Sequence, residues 1–161
     1  PGPGGNTYAM MYKNNITMNT MRNQMIAQKA QSLEKNGLSV LITVNQIRHG
    51  KTLEAMIAGS KFVHGQTQKE ERHKAMEEFE NGKMKVMVST LLNEGSDIPT
   101  LDCIILAGGG KSESAQIQKV GRALRTTKDK KTALIIDIID QGKWLRDHAQ
   151  QRIKLYSEVF G

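Results

Sequence analysis

Gln118, Arg122 and Arg125 bring one amide and two guanidiniums together within Gln118-Lys119-Val120-Gly121-Arg122-Ala123-Leu124-Arg125. On a helix turning about 100° per residue, spacings of four and three put all three on one stripe. Ile117, Val120 and Leu124 then share the opposite stripe, as a helix docked on a sheet requires. Gly121 lets another backbone come close beside Arg122. Guanidiniums grouped in this way grip phosphate oxygens through charge-assisted hydrogen bonds. A solvated basic face would give the same pattern, so the rest of the chain has to decide.

Charge favours the grip. The formal net charge is +7, and residues 111–131 hold seven Lys or Arg against Glu113 and Asp129. Such a patch suits a polyanion, nucleic acid or nucleotide. With three Phe, three Tyr and one Trp, the chain is too poor in aromatics for a base-stacking platform, which points to backbone contacts. At 161 residues it holds one ordinary domain. No apolar run approaches the roughly 20 residues of a membrane span, and no secretory signal is visible. One cysteine, Cys103, excludes an internal disulfide and fits a reducing compartment.

The elements that must position these residues follow a regular alternation. Short apolar runs at 40–44, 61–63, 85–89, 103–106 and 133–138 are expected strands. Helices are expected at 20–36, 51–58, 69–80, 114–124 and 143–159, the first with Ile26, Ala30 and Leu33 on one stripe and Asn36-Gly37 as its stop. Little polar alternation within the strands suggests burial on both faces. Strict strand–helix alternation predicts an α/β fold, an open parallel sheet with right-handed crossovers and helices on both sides. Residues 1–6 read as a flexible cloning remnant, 7–19 as a linker and 20–161 as the domain. In such sheets ligands bind beyond the carboxyl ends of the strands, here Asn45-Gln46, His64-Gly65, Ser89-Thr90, Ala107 to Lys111 and Asp137.

Two phosphate-loop look-alikes fail on spacing. Gly50-Lys51-Thr52 and Gly110-Lys111-Ser112 lack the glycine five residues before the last, where Asn45 and Ile105 stand. Asp137 resembles a Mg²⁺-binding strand end, but Ile138 follows where a catalytic glutamate is needed. His49, His64, His73, His148 and Cys103 have no metal-ligand spacing, and no nucleophilic triad is visible. A complete catalytic site is not expected in this chain.

Taken in order, the remaining motifs resemble the second RecA-like lobe of superfamily 2 helicases and translocases, over about residues 20–138. Val40-Leu-Ile-Thr-Val-Asn-Gln46 resembles motif IV, and His64-Gly65 with Lys69 to Arg72 and Phe79 the segment after it. Val88-Ser-Thr90-Leu-Leu-Asn-Glu-Gly95-Ser-Asp97-Ile-Pro99 resembles motif V, and Gln118 to Arg125 motif VI. Within the superfamily the chain most resembles DNA-acting members: DEAD/DEAH-type phage and prophage helicases, and relatives of the repair and restriction translocases.

The resemblance implies that Arg122 and Arg125 act as arginine fingers, reaching across a cleft to ATP and Mg²⁺ held by an N-terminal lobe of the parent chain. Such a finger contributes ~10³–10⁵ in rate. Gln118 would stand beside the γ-phosphate or the attacking water. Gly95 and Asp97 would line the same cleft, Asp97 near the ribose or bridging to the arginines; a turn role before Ile98-Pro99 is the alternative for Asp97. Thr90, with Ser89, would meet a nucleic-acid phosphate through its hydroxyl and nearby N–H groups, or cap a helical turn, the two roles being compatible. Arg72 would contact the backbone as well, although Lys69 stands where the family carries glutamine, with Gln68 one position before. Asn45 and Arg48 are either motif IV contacts or solvated loop residues. Ser112 and Ser114 are expected caps of the motif VI helix.

The leading expectation is therefore the second motor lobe of an ATP-dependent DNA helicase or translocase in a bacterial or phage-infected cytoplasm, with RNA an open alternative to DNA. This chain alone would be inert toward ATP. A stand-alone nucleic-acid-binding RecA-like module without ATPase activity is the rival, and a nucleotide-binding α/β domain of other function ranks last because its glycine fingerprint is missing.

Overall fold

Five short apolar runs become five strands because each can be buried on both faces by helices from either side. The computed structural model describes residues 9–10, 13–90, 101–108 and 134–137. After a π-helical turn, Lys13–Thr17, come α1 (Thr20–Lys35), β1 (Val40–Thr43), α2 (Ile47–Met56), β2 (Lys61–Val63) and α3 (Lys69–Glu80). Then follow β3 (Val86–Ser89), β4 (Cys103–Leu106) and β5 (Leu134–Asp137). The sheet order is β2-β3-β1-β4-β5, with every pairing parallel. The predicted open parallel α/β architecture is the one observed.

Successive strand residues point to opposite faces. Val40 and Ile42, Phe62, Val86 and Val88, and Cys103 and Ile105 pack with Ile26, Ala30 and Leu33 of α1 and Leu53 of α2. Leu41, Val63, Met87, Ile104 and Leu106 face the other way, against Ala75 and Phe79 of α3. The predicted stripe of α1 is thus its buried face. Met21 and Met25 on its outer flank, and Met18 just before it, stay exposed.

Local chemistry sets the helix ends. Asn19 caps α1, its side chain accepting from the Arg22 N–H at 3.0 Å. At the other end Gly37 takes φ +82°, and Leu38 N–H donates to Leu33 O while Gly37 N–H donates to Glu34 O. That is a Schellman closure, which needs the left-handed conformation glycine adopts without cost.

Two expectations need correction. Helix α2 begins at Ile47, four residues before the predicted Lys51, and runs through Gly50. Part of the segment assigned to the linker packs on the domain: Ile16 and Thr17 are buried. The predicted helices at 114–124 and 143–159 lie outside the described residues.

Candidate functional site

Parallel registry brings the strand ends to one edge. Thr43, Ser89, Leu106 and Asp137 lie level across β1, β3, β4 and β5, and Val63 of β2 lies level with Ser89. The residues that follow each strand therefore meet at this edge. Asn45 is half-buried there against Gly108, where an added Cβ would lie 2.8 Å from the Asn45 amide carbon. Arg48 is exposed on the first turn of α2, not in a loop. Arg72 is half-buried on the first turn of α3. Ser89 and Thr90 are buried at the end of β3, and Thr90 N–H donates to Val63 O at 3.3 Å. Of these five candidates, Asn45, Arg48 and Arg72 offer the side-chain surface.

Behind the edge lies a polar cluster that sequence reasoning missed. Arg22 is 5% exposed, and its Nη1 donates to Ala107 O at 2.7 Å. Asn23 Nδ2 donates to Thr17 O at 3.0 Å, which turns its Oδ1 toward His49 Nε2 at 2.8 Å. That geometry selects the His49 tautomer with the proton on Nε2. The remaining nitrogen, Nδ1, is buried and has no partner among the described residues. Burial, and then the charge of Arg22, lower the His49 pKa from 6.5 to about 4, so the ring is neutral. Thr17 Oγ1 donates to Gln46 Oε1 at 3.1 Å, and Gln46, at the N-cap of α2, makes no side-chain cap bond.

A signal for this cluster existed. Arg22 precedes Ile26 by four residues, so a cation shares the apolar stripe of α1 and must find a buried acceptor. His49 precedes Leu53 in the same way on α2.

The cluster lies beside a place where α/β proteins often bind nucleotides. Going from β1 to β2 the chain moves toward one side of the sheet, and from β4 to β5 toward the other, so the crevice between β1 and β4 is a topological switch point. Here Arg22 reaches across to Ala107, and Asn45 closes on Gly108. Gly50-Lys51-Thr52 is not a phosphate loop: all three lie inside α2, Gly50 faces the Phe62 ring and Thr52 Oγ1 donates to Arg48 O. Gly95, Asp97, Gln118, Arg122 and Arg125 lie outside the described residues, as do Gly110 to Ser112. Among the described residues no helix is long and apolar enough to cross a membrane.

Comparison with known proteins supplies the family. The family described as the helicase conserved C-terminal domain matches residues 18–127, more than half of the chain. The chain belongs to that family. A protein of a Sulfolobus islandicus filamentous virus, named for a helicase, is 34% identical to this helicase domain over 122 residues, 73% of the chain and 22% of the relative. The ATP-dependent DNA helicase UvsW of Enterobacteria phage T4 is 30% identical over 131 residues, 78% of the chain and 26% of the relative. The crystal structure of T4 UvsW superposes with a TM-score of 0.76 at 25% identity, covering 96% of the chain and 35% of UvsW. The C-terminal domain of the DEAD-box protein Dbp5 gives 0.67 at 19% identity, covering 90% and 83%, a likeness of fold. The helicase domain spans about a quarter of the length of the two sequence relatives.

Proposed function

We propose that this chain is the second motor lobe, residues 20–161, of an ATP-dependent DNA helicase or translocase, and that it grips the nucleic-acid backbone while supplying arginine fingers to a nucleotide held elsewhere. The observation that carries this reading is the helicase-family match over residues 18–127 on a parallel sheet whose carboxyl edge presents Asn45, Arg48 and Arg72. In such a sheet that edge is where ligands are met, and the Arg22–Ala107 hydrogen bond holds the end of β4 in place beside it.

ATP with Mg²⁺, held mainly by an N-terminal lobe, supplies the phosphoryl group whose transfer drives the cycle. The roles of this chain are electrostatic. Arg122 and Arg125 bring positive charge to the γ-phosphate, with Gln118 beside them; Gly95 and Asp97 line the same cleft. Asn45, Arg48 and Arg72 hold the strand backbone at the edge, where phosphate contacts position without reading sequence, while the buried Ser89 and Thr90 support that edge from behind. The kinship to UvsW, named as a DNA helicase, favours DNA over RNA and an intracellular setting such as a phage-infected cell.

ATP turnover by the purified chain, with and without single-stranded DNA, tests this beside the longer gene product that includes an upstream lobe. The expected result is silence from the chain and DNA-stimulated hydrolysis by the longer protein. Turnover by the repurified chain would refute the division of labour. Salt-sensitive DNA binding with no ATPase in the longer protein would favour a stand-alone binding module.

A further inference from the structure

The entering segment and the edge are hydrogen-bonded into one unit, and its position bears on Arg48. The first turn of α2 is tied down at two points. Gln46, just before it, accepts from Thr17 Oγ1, and His49, within it, is held by Asn23. Asn23 in turn donates to the Thr17 carbonyl, so both ties end on the same turn of chain. Arg48 lies between the two tied residues and is exposed, whereas His49 beside it is fully buried. Because side chains on a helix step by about 100°, holding Gln46 and His49 fixes the direction in which Arg48 leaves. On the other side of the crevice, Arg22 holds Ala107, and Gly108 next to it has Asn45 packed against it. The N-cap acceptor of α2 is thus spent on Thr17 rather than on the helix's own N–H groups, an arrangement that favours registry over local helix stability.

We propose that Thr17, Arg22, Asn23 and His49 are positioning residues that lock the loops after β1 and β4 so that Asn45 and Arg48 present to a nucleic-acid backbone. This rests on the nucleic-acid reading of those two residues. None of the four touches the ligand; each acts through Gln46, Arg48 or Ala107. Pre-ordering of this kind lowers the cost of holding a long arginine side chain in its bound direction.

A double-mutant cycle on the 161-residue chain tests the role, with a fluorescein-labelled oligothymidylate as probe and anisotropy as readout at low salt. Thr17→Val keeps the shape and removes only the hydroxyl, and Thr17→Ser restores it. The expected result is that Thr17→Val weakens binding about three- to tenfold, Thr17→Ser stays within about twofold of the native chain, and Arg48→Ala loses most of its effect in the Thr17→Val background. Gln46→Leu breaks the same hydrogen bond from the exposed side, so the cycle can be run there should Thr17→Val fail to fold. An Arg48→Ala effect of equal size in native and Thr17→Val or Gln46→Leu chains, all folded by circular dichroism, overturns the positioning role and leaves the grip intact. A native chain that binds no oligonucleotide overturns the grip itself, and the positioning role with it.

Discussion

His49 sits within hydrogen-bonding distance of Asn23 and is shielded from water, and this makes it the residue through which acid should act on the fold. Its pKa is about 4 against an ordinary 6.5, first because burial disfavours the charged ring and then because Arg22 is near. Between those two values the unfolded chain takes up a proton that the folded chain refuses, so stability rises with pH across that window. Stability is expected to be highest above pH 6.5 and to fall as pH drops toward 4, by on the order of 3 kcal/mol from this residue. Urea unfolding at a series of pH values measures it, and His49→Gln should flatten the dependence between pH 6.5 and 5. An unchanged slope in that variant would place the acid sensitivity elsewhere. Cys103 belongs to the other kind of buried group: burial pushes its thiol up to about 11, so it serves as a small apolar side chain in the core.

At the scale of elements, α2 is where local sequence and tertiary packing part. The expected helix began at Lys51, just after Gly50, and glycine inside a helix costs about 1 kcal/mol relative to alanine. The helix runs through it because α2 lies so close to β2 that a Cβ at Gly50 would fall 2.2 Å from the Phe62 ring. Gly50→Ala is therefore expected to destabilise the fold by about 1–3 kcal/mol through overpacking. Lys51→Ala, on the exposed side of the same helix, should stay within about 0.5 kcal/mol of the native chain. Chemical denaturation of both variants decides between a packing glycine and a phosphate loop. Equal losses, or lost nucleotide binding in Lys51→Ala, would reinstate the loop. The Glu54 carboxylate supports the same packing, with Oε2 accepting from the Phe62 N–H at 2.6 Å.

For the whole molecule, the proposed division of labour makes Arg125 a group that acts across a boundary between lobes. In the longer protein, Arg125→Ala is expected to lower kcat by at least ~10³ while nucleotide affinity changes far less, because a finger stabilises charge that develops in the transition state. Steady-state turnover together with equilibrium binding of a fluorescent nucleotide separates the two effects. Unaltered turnover in that variant would remove the finger assignment and turn attention to Arg122.

Much of this protein was determined by its sequence alone. Strand positions, the open parallel sheet and the helicase-family membership follow from apolar runs of fixed length and from ordered motifs, because short-range periodicity decides which faces can be buried. The edge positions of Asn45 and Thr90 were legible for a related reason: in a parallel sheet, whatever follows each strand arrives at the same side; Arg48 and Arg72 were named only through the family resemblance. Tertiary structure decided the start of α2, the Arg22–Ala107 tie between α1 and the end of β4, and which partners Thr17, Arg22, Asn23 and His49 find. Arg22 and Ala107 are 85 positions apart and meet at 2.7 Å. The apolar stripe of α1 says that Arg22 must find a buried acceptor, but which carbonyl it reaches depends on how the helix rotates against the sheet.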